Sequence, residues 1–231
     1  MPDPVGDAKQ PARRPTALIT GGGGTLGRRL AAHLSQAGFA LTLVGRRSSP
    51  LLDAARDLPH ALCCPADVRD AAAIHEVIAH TLREHGRLDL AVHAAALLAD
   101  PVEHGIDPWV HFTCVLRTNL QGAAVLAEAC APHMRPHGLI ALIGSSSGHR
   151  PTPSAVAYGA SKAALPQLTT SLAARYRDRR VRVVNLEAGH IGGDPDGYAA
   201  DLANALLFLT SRHGRRVNGV SWGIDAGERL R

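Results

Sequence analysis

The chain has 231 residues, 45% of them apolar and 19% charged, which fits one globular domain and argues against a disordered protein. Its net charge of +5 comes from scattered arginines without the interleaved aromatics that stack bases, so no nucleic-acid partner is expected. No apolar run approaches the roughly eighteen residues of a membrane helix, so a soluble chain with no membrane partner is expected.

Residues 1–15, MPDPVGDAKQPARRP, are polar and proline-rich and predict a disordered leader; they lack the apolar stretch of a signal peptide. Residues 16–231 are expected to form one domain. A strand over Ala17–Thr20 runs into Gly21-Gly22-Gly23-Gly24-Thr25-Leu26-Gly27, followed by a helix over Leu26–Ala37. Gly22, Gly24 and Gly27 fit G-x-G-x-x-G, in which glycines make the tight turn and let the backbone approach a pyrophosphate. The helix N-terminus then offers free N–H groups and a positive dipole end to that phosphate. Gly21, Gly23, Gly24, Thr25, Leu26 and Gly27 are therefore candidate dinucleotide-binding residues.

A second strand over Ala40–Val44 ends in Gly45-Arg46-Arg47. An acid at this strand end would select the free 2′-hydroxyl of NAD(H). Here there is glycine, then two guanidinium groups suited to a phosphate dianion, so NADP(H) is favoured over NAD(H), with Arg46 and Arg47 as its ligands. The third strand, Ala61–Cys64, carries an adjacent Cys63-Cys64 pair that reads as buried strand thiols. With Cys114 and Cys130 these thiols show neither metal-ligand spacing nor disulfide density, which predicts no metal site and a reducing, cytoplasmic setting. Asp67 and Val68 close this strand where an adenine contact would lie. Strands over Leu88–Ala94, Leu139–Ile143, Val181–Leu186 and Val220–Ile224 follow, separated by helices over Trp109–Met134, Tyr158–Tyr176 and Asp201–Thr210. Pro166 should kink the second of these or begin a shifted segment. Nearly continuous apolar strands imply a sheet covered on both faces. Their alternation with helices implies an α/β fold: a doubly wound, Rossmann-type parallel sheet of about seven strands in a three-layer α/β/α domain. Ligands would bind at the C-terminal strand edge.

Tyr158 and Lys162 lie one helical turn apart on one face. An ammonium near a phenol favours the phenolate, so Lys162 is expected to lower the Tyr158 pKa and ready it for proton exchange. The chain has only two lysines, Lys9 and Lys162, so a compact point charge stands here in an arginine-biased sequence. Ser145 ends an apolar strand thirteen residues before Tyr158, and Asn119 sits inside a long helix, where its propensity is poor. In order and spacing, Asn119, Ser145, Tyr158 and Lys162 resemble the tetrad of the compact short-chain dehydrogenases/reductases, and the likeness runs from Thr16 to Gly227.

The resemblance implies direct hydride transfer between nicotinamide and a carbonyl or alcohol carbon of a small-molecule substrate. Tyr158 would be the proton donor, Ser145 would hydrogen-bond the substrate oxygen, and Lys162 would hold the nicotinamide ribose. Asn119 would anchor a water-linked proton path. It also implies cofactor contacts from Ala94, Ala95, Asn119, Tyr158, Lys162, Gly189 and Ile191, and a homodimer or homotetramer built on the two long helices. The wording TGGGGTLG and His93-Ala94-Ala95-Ala96 is similar to the ketoreductase domains of modular polyketide synthases, which is compatible with a secondary-metabolite substrate. By the same analogy His93 is structural. Departures lie around Ala188-Gly189, where the family has Pro-Gly. The connection that follows is short, with Asp194-Pro195-Asp196-Gly197 in place of a lid helix. A redox-neutral isomerase or cyclase, or a dinucleotide sensor with little turnover, stays open as an alternative.

Overall fold

The computed structural model describes residues 14–98, 107–190 and 194–230. Most of the expected 1–15 leader falls outside them, as does Ile191. Seven parallel strands form one sheet in the order β3-β2-β1-β4-β5-β6-β7: β1 (Thr16–Thr20), β2 (Ala40–Gly45), β3 (Ala61–Pro65), β4 (Leu90–His93), β5 (Leu139–Ser145), β6 (Arg182–Ala188) and β7 (Ser221–Ile224). Successive residues point to opposite faces, and both faces are apolar. Ile19, Leu43, Val92, Ala141 and Leu186 pack with Leu30 and Leu34 of α1 (Thr25–Gln36) and Leu202, Leu206 and Leu209 of α8 (Pro195–Thr210). Leu18, Ala91, Ile140, Leu142 and Val183 pack on the other side. Their partners come from α3 (Ala71–His85), α5 (Gly122–Cys130) and α7 (Leu165–Arg175). This is the three-layer, doubly wound fold expected from the sequence.

The helices differ from expectation in two places and divide beside Pro166 as expected in a third, each for a local reason. The stretch beginning near Trp109 is α4 (Pro108–Leu116), then a π-helical turn over Arg117–Gln121, then α5. Asp107 caps its start by accepting from the amides of Trp109 (2.9 Å) and Val110 (3.0 Å). The helix carrying Tyr158 is α6 (Val156–Ala163), and α7 begins at Leu165 after a break at Ala164. Pro166 occupies the first turn of α7, where its missing N–H costs nothing. α8 begins at Pro195, six residues before the expected Asp201. Asp194 caps it by accepting from the Gly197 amide at 2.9 Å, so Asp194–Gly197 is a helix start and not a separate replacement for a lid. The short α2 (Ser48–Ala55) follows β2. All four cysteines are free thiols; Cys64 and Cys130 are buried, whereas Cys63 is only half-buried, contrary to expectation. Among the described residues no helix is long and apolar enough to cross a membrane.

The strand order reverses between β1 and β4, which opens a crevice beyond their C-terminal ends. The glycine turn leaves β1 on one side of it, and the segment Ala94–Leu97 leaves β4 on the other.

Candidate functional site

The glycine turn is pressed against the exit of β4. Gly21 has φ +70°, and a Cβ there would lie 2.8 Å from the Ala95 backbone. A Cβ on Gly27 would sit 2.1 Å from the Gly21 carbonyl oxygen, so the helix start can tuck under the turn only without one. The N-cap of α1 is Gly24, with no side-chain cap and no acidic residue in the first turn. Its leading N–H groups therefore face outward with the positive end of the helix dipole. A cleft of about 310 Å³ opens there. It is lined by Gly21, Gly23, Gly24, Thr25, Leu26 and Gly27, and by Ala94 and Ala95 across from them.

The far end of this cleft holds Arg46, Arg47, Asp67 and Val68. Both arginines are exposed, and neither forms a salt bridge among the described residues. Asp67 lies two residues beyond the end of β3 instead of closing it. Its carboxylate is gripped by Arg69: Nε donates to both oxygens at 3.0 Å, Nη2 to Oδ2 at 2.6 Å, and the Arg69 amide to Oδ1 at 2.9 Å. Those bonds, with a smaller attraction from Arg46, hold the Asp67 carboxyl below the usual carboxylate range. Arg69 is not among the residues expected from sequence, although an arginine two residues after an aspartate just beyond a strand is a visible signal.

Beside the cleft, β5 and α6 deliver Ser145, Tyr158 and Lys162. Ser145 ends β5 and accepts from the Ser147 amide at 3.2 Å. Lys162 is 4% exposed; its Nζ donates to the Ile143 carbonyl at 2.7 Å and lies 5.5 Å from the Tyr158 ring centre. Burial pushes its pKa down to about 8. The Tyr158 pKa is raised, because burial of the phenol outweighs the opposing hydrogen bond with Ser145. This corrects the expectation that Lys162 lowers it. The ammonium is committed to a main-chain carbonyl, and desolvation of the phenolate is the larger effect.

Asn119 lies in the π turn and is fully buried. Its Oδ1 accepts from the Leu97 amide at 2.8 Å, while Nδ2 donates to the Leu97 carbonyl at 3.1 Å and to Ser161 Oγ at 3.0 Å. It thus braces the β4 exit against the helix that carries Tyr158 and Lys162. Leu97 and Thr118 line the cleft, whereas Asn119, Ser145, Tyr158 and Lys162 are not among its lining residues. His93 is fully buried against Thr20, whose Oγ1 is 3.1 Å from its Nδ1. Burial, and then repulsion from Lys162, push its pKa to about 3, so it stays neutral and structural. Thr20 and Ser161, neither singled out in the sequence, hold these groups in place.

The last expected contacts fall differently. Ala188 pairs with Ser145 in the sheet register, which brings Gly189 to the sheet edge that Ser145 ends. Gly189 does not line the cleft; it abuts the Tyr198 hydroxyl. Ile191 lies outside the described residues. Behind Ser145, the buried Glu187 is 2.9 Å from His149 Nε2 and accepts from Asn185 Nδ2 at 3.1 Å.

A family model described as short chain dehydrogenase matches residues 15–198. The NADP-dependent 3-hydroxy acid dehydrogenase of Escherichia coli strain K12 is 31% identical over 182 residues, covering 76% of this chain and 72% of that protein. An uncharacterized oxidoreductase of Staphylococcus epidermidis is 28% identical over 180 residues, covering 76% of this chain and 77% of its own. Among solved structures, a dehydrogenase/reductase from Sinorhizobium meliloti 1021 superposes with a TM-score of 0.82 at 28% identity, covering 92% of this chain and 94% of that one. A short chain dehydrogenase from Burkholderia cenocepacia J2315, solved in complex with NADP, shares the fold with a TM-score of 0.81 at 23% identity, covering 91% and 96%. A glycine turn at the switch point, a serine at the end of β5 and a tyrosine and lysine on the following helix thus accompany a family match over most of the length: the chain belongs to the short-chain dehydrogenase family.

Proposed function

We propose that the chain is an NADP(H)-dependent ketoreductase, reducing a small-molecule carbonyl to an alcohol. The observation that carries this reading is the convergence of Ser145, Tyr158 and Lys162 beside a cleft whose far end offers Arg46 and Arg47 with no acid at Gly45. The cleft suits a dinucleotide on its own geometry: a Cβ at Gly21 or Gly27 would collide with backbone, and the uncapped start of α1 faces it. Gly21–Gly27 and the α1 N-terminus would hold the pyrophosphate. Arg46 and Arg47 would hold a 2′-phosphate, and Lys162 the nicotinamide ribose. When bound, the nicotinamide supplies the hydride in reduction and accepts it in oxidation.

Tyr158 donates its hydroxyl proton to the substrate oxygen during reduction. Its raised pKa keeps it protonated at neutral pH, which suits the acid role. Ser145 hydrogen-bonds the same oxygen and orients it. Asn119 keeps the β4 exit and α6 in register, so that the proton donor and the cleft do not drift apart. The 3-hydroxy acid named for the Escherichia coli relative makes a 3-oxo acid or ester the first substrate class to examine, and a secondary-metabolite ketone remains compatible. The reading extends to a homodimer or homotetramer, supported by an apolar groove between Leu116, Leu120 and Ala124 on one side and Ala164 and Leu168 on the other. Sedimentation equilibrium should then give a mass of two or four chains.

Tyr158→Phe should lower kcat/KM for carbonyl reduction by roughly 10²–10⁴, while NADPH binding, followed by fluorescence quenching, persists. Replacing Arg46 and Arg47 with alanine should raise KM for NADPH by roughly 10- to 100-fold and leave NADH kinetics nearly unchanged, since at these exposed positions the charge-assisted bonds are together worth about 1.5–3 kcal/mol. Lys162 allows a test without substrate. Its folded pKa of about 8 lies below the unfolded value of about 10.4, so within that window the unfolded chain binds a proton that the folded chain does not. Stability should therefore rise with pH across it relative to Lys162→Met. Urea unfolding at about pH 7.5 and about pH 9.5 should show wild type gaining about 1–2 kcal/mol on the variant.

A further inference from the structure

We propose that Glu228 is a positioning residue that locks the C-terminal turn onto the catalytic edge, so that this turn walls the substrate end of the site beside His190 and the start of α8. The proposal rests on the ketoreductase reading for the purpose of the wall, and on geometry alone for its existence.

After β7 the chain reverses within a few residues. Ala226 and Gly227 both take left-handed backbone conformations, at φ +49° and +81°. The Gly227 amide donates to Asp225 Oδ1 at 3.1 Å, and the Glu228 amide to the Asp225 carbonyl at 2.9 Å. The reversal aims Glu228 back across the strand ends, where one carboxylate collects donors from three other segments. The His190 amide, just beyond β6, donates to both of its oxygens at 3.0 Å. The Tyr198 hydroxyl, in the first turns of α8, donates to Oε1 at 3.1 Å. Ser146 Oγ, next to Ser145, donates to Oε2 at 3.1 Å. Arg150 Nη2 stands 3.9 Å from Oε2.

Two features separate this cluster from an ordinary surface carboxylate. Its anchors flank the reactive groups: Ser146 follows Ser145, and His190 follows the stretch of β6 that pairs with Ser145. Loosening the cluster therefore frees both strand exits that carry the site. Gly189 is also shaped for it, because a Cβ there would lie 2.5 Å from the Tyr198 hydroxyl and 3.0 Å from Glu228 Oε1. The same contacts, led by the His190 amide, hold the Glu228 carboxyl below its ordinary range. Charge-assisted bonds of this kind outlast exposed ion pairs in water.

The first readout is amide hydrogen exchange at His190 in the unliganded chain. Glu228→Ala should speed it by roughly ten-fold or more, and Glu228→Gln, which keeps one acceptor oxygen, by less. The second uses NADPH with ethyl acetoacetate as probe. Glu228→Ala should cut kcat/KM by about ten-fold and erode the enantiomeric excess of the alcohol, with NADPH affinity within about two-fold of wild type. Unchanged exchange at His190 would overturn the proposal. So would a loss of activity matched by an equal loss of NADPH affinity with the enantiomeric excess intact, since that describes general damage to the fold. If Glu228→Ala does not fold, Tyr198→Phe removes one donor without opening a void, and faster exchange at His190 is again required. Should Tyr158→Phe leave turnover intact, the ketoreductase reading fails, while the exchange result still decides the role of Glu228.

Discussion

Two loops meeting backbone to backbone make this site possible. Where the sheet order reverses, the turn leaving β1 and the segment leaving β4 approach until a single added carbon at Gly21 would strike Ala95. That contact sets the width of the crevice. It also points the start of α1 into it, because Gly27 lets the helix begin directly under the turn. The placement of the uncapped α1 start within the crevice depends on these two surfaces being held at that distance. Thr20 helps to hold it, reaching from the end of β1 toward His93 and the Ala95 amide (3.4 Å) on the other side.

Polar groups buried beside the crevice tie the β4 exit and β5 to the helix that carries Tyr158 and Lys162. A buried lysine that donates to a main-chain carbonyl loses solvation that one hydrogen bond does not restore, as its depressed pKa reflects. Asn119 in a π turn similarly forgoes regular helical bonding, yet its amide joins Leu97 on one side and Ser161 on the other. Such interruptions tend to occur where a side chain must be aimed and not merely packed. Local rules of helix formation and core packing are broken here together, at one place, and the two large apolar clusters on either face of the sheet carry the cost.

The same distinction explains what could be read in the sequence. Strands with both faces apolar, a glycine turn opening a helix, and a tyrosine and lysine one turn apart are local patterns, and the structure reproduces them. Ser145 and Asn119 could be placed because their neighbours in sequence also define their positions. The start of α8 was obscured because Pro195 and Gly197 read as loop residues, while the Asp194 cap that makes them a helix start depends on backbone geometry. The direction of the Tyr158 shift was not legible at all. Spacing shows that an ammonium is near a phenol; it does not show how deeply the phenol is buried or which carbonyl has already taken the ammonium. The Glu228 cluster is harder still, because its bonds to His190 and Ser146 span 38 and 82 positions.

That long reach bears on how the exit of β6 and the start of α8 are held against the end of β5. His190 at the exit of β6 and Tyr198 in α8 are fixed by directed bonds to one carboxylate. A carboxylate is well matched to that need, since it accepts several donors at once and its charge strengthens each bond in a half-buried setting. Placing it near the chain end carries a backbone cost, since Ala226 adopts a conformation in which a side chain is disfavoured. The turn tolerates that strain because Asp225 is buried at its base and supplies both a side-chain and a main-chain acceptor to the residues that follow. The local strain at Ala226 and the convergence on Glu228 are then two aspects of one device: the first turns the chain back, and the second rewards the turn with contacts at the ends of both β5 and β6.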